Sequence, residues 1–118
     1  MPRSMPDAPT LLGAAIKYLE EELLPTLAGY HRFKTRVTIN ALALVKREAE
    51  LRGAQAGAEL ERLSALVGHG GELEALSAEL AARIRSGAVR VDDPAMRAHV
   101  RQSLADALAI NNPKWLDR

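Results

Sequence analysis

The feature that most constrains this chain is the return of aliphatic side chains at helical spacing, interrupted at short intervals by proline and glycine. Leu12, Ile16, Leu19 and Leu23 stand at i, i+4, i+7 and i+11, which lines one face of an α-helix and alternates across a strand. Four more segments carry such a pattern. The expected fold is therefore all-α: a single-domain bundle of about five helices.

The breakers set the expected boundaries. Helix 1 runs from about Thr10, read as the N-cap, to Leu24, and stops because Pro25 cannot donate to the ladder. Helix 2 runs from about Tyr30 to Arg52, between Gly29 and Gly53. It carries two stripes, Phe33, Val37, Ala41 and Leu44 on one side and Ile39, Leu42, Val45 and Ala49 on the other. A helix that is apolar on two sides belongs at the centre of a bundle, so helix 2 is expected to be the hub. Helix 3 runs from about Ala56 to Val67 with Leu60, Leu63 and Val67 inward, and a turn follows at Gly68, Gly70 and Gly71. Helix 4 runs from about Glu72 to Arg85, buries Leu73, Leu76, Leu80 and Ile84, and ends at Gly87. Helix 5 starts at Asp93-Pro94, an acceptor at the cap followed by proline in the first turn. It reaches about Ile110, with Met96, Val100, Leu104 and Leu108 expected inward. Residues 1–9 hold three prolines and read as a flexible tail, which leaves 10–118 as the bundle domain. Trp115 and Leu116 are expected to pack back on the bundle or to form a contact surface.

Composition agrees with this class. The chain has 118 residues, 47% of them hydrophobic and only 3% aromatic, so alanine and leucine, both strong helix formers, dominate the apolar positions. There is no cysteine, which removes disulfides and thiolate chemistry and fits a cytoplasmic location. No apolar run approaches the ~18 residues that span a bilayer, so no membrane partner is expected. The net charge is +1, and its distribution alternates: −2 over residues 1–28, +4 over 29–52, −4 over 53–82 and +3 over 83–118. Complementary neighbouring helices account for this alternation. An anion site formed by His31, Arg32, Lys34 and Arg36 at the start of helix 2 is the sharper alternative.

Asn40 is the oddest residue, because it shares a stripe with Phe33, Val37 and Leu44. Arg36 lies one turn before it and Glu48 two turns after, so the three can form one polar line. That line is either an internal hydrogen-bonding network or a pocket for a small anionic or amide ligand. No catalytic motif accompanies it. The histidines, His31, His69 and His99, lack metal-ligand spacing, so no metal is expected. His69 reads as an exposed turn residue. The run Gly68-His69-Gly70-Gly71 has neither P-loop nor dinucleotide spacing, so no cofactor is expected. Nucleic-acid binding through the start of helix 2 and through Arg97, His99 and Arg101 is disfavoured by the small net charge.

The stretch from Arg36 through Asn40 to Arg47 and Glu48 resembles the core motif of a family of small bacterial helical domains of unknown function. So do the Glu-Glu-Leu-Leu-Pro25 segment, the turn Asp92-Asp93-Pro94 and the closing Asn112-Pro113-Lys114-Trp115-Leu116. The resemblance covers nearly the whole chain. It implies an accessory role beside, or fused to, aminoglycoside-phosphotransferase-like kinases and acyl-CoA dehydrogenases, and it brings no catalytic residues. Kinase motifs are absent from the sequence, so the chain is not itself the kinase. A two-fold homodimer is expected from base rates and from the two-sided helix 2.

Overall fold

The computed structural model describes residues 6–117, and every regular element within them is helical. The order is α1 (Ala8–Lys17), a π-helical stretch Tyr18–Leu23, a 3₁₀ turn Leu24–Thr26, α2 (Gly29–Val67), α3 (Leu73–Ser86), α4 (Pro94–Asn111) and a 3₁₀ turn Pro113–Asp117. The described residues thus hold four α-helices instead of the expected five, because helices 2 and 3 are one 39-residue helix. Gly53 and Gly57 do not break it, and neither has a positive φ. A glycine permits the left-handed turn without imposing it, and in a helix interior it costs about 1 kcal/mol relative to alanine. The chain divides into two compact units, Met1–Leu51 and Arg52–Arg118.

In the first unit, α1 starts earlier than expected. Asp7, not Thr10, is the N-cap, and its Oδ1 accepts from the Thr10 amide at 3.0 Å. Pro9 sits in the first turn, where its missing N–H is harmless. Residues 1–5 of the expected tail, and Arg118, lie outside the described residues. Beyond Lys17 the ladder widens, and the Leu24 amide bonds to the Leu19 carbonyl five residues back. Pro25 then ends it as the sequence required. The buried hydrophobic residues here are Leu24 and Ile39.

The second unit closes a fuller core. Leu63 and Val67 from α2, Leu76 and Leu80 from α3, and Met96 from α4 form one buried cluster, flanked by half-buried Leu60, Leu73 and Ile84. The faces expected for helices 3 and 4 are the faces observed. Helix punctuation also holds: Gly87 ends α3 in the left-handed region at φ 83°, and Asp93 caps α4 by accepting from the Met96 amide at 2.8 Å. The inward face of α4 is corrected. Met96, His99 and Ile110 are buried, whereas Val100 and Leu104 are 43% and 62% exposed. The i+4 series 96, 100, 104, 108 drifts around the helix by about 40° per step, whereas i, i+3, i+7, i+14 keeps to one side.

Candidate functional site

The residues singled out from the sequence fall mostly in the first unit, and they do not converge on an enclosed pocket. Arg32 donates to the carbonyl oxygens of Leu24 at 2.9 Å and Leu27 at 3.5 Å, so its guanidinium closes the carbonyl end of the preceding helical stretch. His31 is exposed and meets the Tyr30 ring edge-on at 5.4 Å. Lys34 reaches over the same ring, with Nζ 5.7 Å from its centroid. Arg36 faces Glu20 at 3.6 Å, and both side chains are half-exposed. Asn40 is exposed and Glu48 half-buried. The buried position of this part of α2 is Ile39, one residue before Asn40. The amide of Asn40 therefore meets water and carries no desolvation cost.

Asn40 is exposed because its stripe is exposed. Phe33 is 64% exposed, Val37 46% and Tyr30 66%, and Val45 stands in water as well. Helix 2 was expected to bury both apolar sides. In the first unit Ile39 marks its buried side, and the Phe33–Val37 side is left uncovered. Trp115 and Leu116, expected to pack back, are also exposed, at 58% and 45%.

The best-formed polar cluster lies in the second unit, and of its members the sequence pointed only to His99, as part of an exposed basic face. Arg62 of α2 donates from Nε to His99 Nδ1 at 3.1 Å and from a terminal nitrogen to Ser103 Oγ at 3.4 Å, and lies 3.8 Å from Asp106. Gln55 donates to the Asp106 carbonyl at 2.9 Å. His99 is 7% exposed and is the buried polar residue of the core. Burial lowers its pKa, and the Arg62 charge lowers it further against a smaller opposing effect of Glu59. Since Nδ1 accepts from a guanidinium, the neutral ring carries its proton on Nε2.

Two clefts flank this cluster. One, of about 300 Å³, is walled by Leu63, Leu80, Ala81, Ile84, Val100 and Leu104, with Ser77, His99 and Ser103 as its polar members. The other, of about 200 Å³, is polar and holds Arg52, Gln55, Glu59 and Asp106. The signal that could have found the cluster was a histidine and a serine at i+3 and i+7 from Met96. An i+4 series through α4 leaves both off the inward face. The same geometry removes His99 from any exposed basic face with Arg97 and Arg101; Arg97 itself donates to the Val91 carbonyl at 3.0 Å.

His69 is exposed, as expected for a turn residue, but it is not idle. Nδ1 lies 2.9 Å from the Gly70 carbonyl and Nε2 2.8 Å from Glu79, which also pairs with Arg83. Both ring nitrogens face acceptors, an arrangement only the imidazolium satisfies. The Gly70 carbonyl, then Glu79, raise its pKa. Among the described residues no group of three His, Cys, Asp or Glu side chains could hold a metal ion, and no helix is long and apolar enough to cross a membrane.

No curated protein matches this chain, and no solved structure matches it. Residues 25–115, which take in the Arg62 cluster and the exposed stripe of α2, match the model of the domain of unknown function DUF6285, and the chain belongs to that family.

Proposed function

We propose that this chain is a non-catalytic interaction module whose partner is an enzyme of the phosphotransferase-like kinase or acyl-CoA dehydrogenase class. The observation that carries the reading is the uncovered stripe of α2 in the first unit, where Tyr30, Phe33 and Val37 hold large apolar surfaces in water. Contiguous exposed apolar surface marks an interaction site, and aromatic side chains supply much of the energy at such sites. Lys34 and Arg36 border the stripe and add orientation through charge. The enzyme classes come from the resemblance of the Arg36–Glu48 stretch and the closing Asn112–Leu116 segment.

The test is co-purification of the full chain with each enzyme class from the same genome, beside a Phe33→Glu/Val37→Glu variant. Both substituted positions are exposed, so the variant should melt with the parent. The expected result is a stoichiometric complex that the variant abolishes. A complex that forms equally well with the variant overturns the use of this face. Sedimentation of the chain alone adds a second arm: a dimer dissolved by the same substitutions, with no enzyme bound, assigns the face to a second copy and overturns the enzyme partner. Binding of a small anion or of nucleic acid, lost in Arg36→Ala and steeply weakened by salt, would assign the start of α2 to the electrostatic alternatives instead.

A further inference from the structure

We propose that the apolar cleft of the second unit is a binding site for an uncharged aliphatic molecule carrying one carbonyl oxygen, an ester or an amide, held through that oxygen by His99 and Ser103. The cleft holds about 300 Å³, the low end of small-molecule sites, and every side chain that lines it is uncharged. Its walls are aliphatic: Leu63, Leu80, Ile84 and Val100, with Leu104 at the mouth.

Arg62 decides what its polar members offer. A guanidinium only donates. By donating to His99 Nδ1 at 3.1 Å and to Ser103 Oγ at 3.4 Å, it takes up the acceptor nitrogen of the imidazole and one of the two lone pairs of the hydroxyl. What remains is two donors, the Nε2–H of the imidazole and the O–H of the serine, beside one serine lone pair. No hydrogen bond closes off Nε2 among the described residues. The imidazole is nine-tenths buried, yet no buried side-chain nitrogen or oxygen among the described residues lacks a partner, so the Nε2–H opens on the cleft, where the acceptor of a bound molecule reaches it.

Charge narrows the acceptor. Behind the donors the charges balance, Arg52 and Arg62 against Glu59 and Asp106, and none of these side chains lines the apolar cleft itself. A carboxylate would find no cation among the lining side chains, and an ammonium no anion, so either would be desolvated without a counter-charge. A neutral carbonyl meets neither obstacle, and the aliphatic walls take its chain.

This site is separate from the α2 stripe, and its test does not depend on any protein partner. The full chain, labelled with ¹⁵N-histidine, is titrated with N-methylhexanamide, hexanoate and hexylammonium. The expected result is saturable binding of the amide with a shift of the His99 Nε2 resonance, at least tenfold tighter than either charged probe. Ser103→Ala should weaken amide binding about tenfold, the scale of one hydrogen bond, with little change in melting temperature. Hexanoate binding as tightly as the amide overturns the assignment of an uncharged ligand. Amide binding that leaves His99 Nε2 unshifted, or no amide binding to the folded parent protein, overturns the site.

Discussion

Leu24 and Ile39 are the buried hydrophobic residues of the first unit, whereas the second buries Leu63, Val67, Leu76, Leu80, Met96 and Ile110, with His99 among them. The two are built from similar material. Both draw on α2, and both carry aliphatic side chains at helical spacing. They differ in how many helical faces converge. In the second unit α2, α3 and α4 each supply buried side chains to one cluster, although Val100 and Leu104 of α4 stay exposed. In the first unit Ile39 marks the covered side of α2, and Phe33 and Val37 remain in water. An apolar stripe is thus a demand for a partner, and the chain meets that demand more fully in the second unit than in the first. The unit with the closed core is also the one that can hold a buried imidazole, because it can desolvate a polar group and still satisfy it with Arg62.

The sharpest test of this difference removes one large side chain from each unit. Leu63→Ala, at a position 1% exposed, should cost about 2–5 kcal/mol in chemical denaturation. Phe33→Ala should change the stability of the isolated chain by no more than about 0.5 kcal/mol. Equal losses at the two positions would show that Phe33 is covered in solution and erase the contrast. A smaller effect probes the boundary of the closed unit. Gly87→Ala should cost about 1 kcal/mol, because φ 83° is strained for any residue with a Cβ.

Gly53→Ala should act in the opposite direction. Nothing lies within 4 Å of a Cβ built there and φ is not positive, so the substitution should stabilise by up to about 1 kcal/mol. A loss of stability would mean that α2 needs a break at Gly53. The finest test uses the two histidines of the second unit, read by NMR titration and by stability against pH. His99, with its pKa depressed by burial and Arg62, contributes stability that is complete above about pH 6.5 and is lost as pH falls through its folded pKa. His69, with its pKa raised by the Gly70 carbonyl and Glu79, contributes stability that is complete below about pH 6.5 and is lost as pH rises through its folded pKa. Glu79→Gln should bring the His69 pKa down and leave that of His99 unchanged.

Local chemistry was readable wherever one residue's covalent nature decided the outcome. Pro25 stops a ladder because it has no N–H. Asp93-Pro94 starts α4 because its carboxylate accepts an orphan amide. Gly87 ends α3 because it tolerates a left-handed φ. The leucines of α3 and of the second half of α2 face inward because their neighbours within a turn leave them no other apolar face. Gly53 was misread because a glycine's effect depends on what its surroundings require of it. Thr10 was misread as a cap because Asp7, three residues earlier, offers a better acceptor to the same turn.

The amino-acid sequence by itself determined that this protein is helical, where most of its helices begin and end, and which face of α3 is apolar. Tertiary structure alone decided that the stripe of Phe33 and Val37 stays uncovered, that Asn40 therefore sits in water, and that Arg62 meets His99 and Ser103. Periodicity fixes the direction of a side chain relative to its own helix axis, which is a local property. Whether a second helix arrives to cover that side, and which residue 37 positions away completes a hydrogen bond, depends on how separate helices pack.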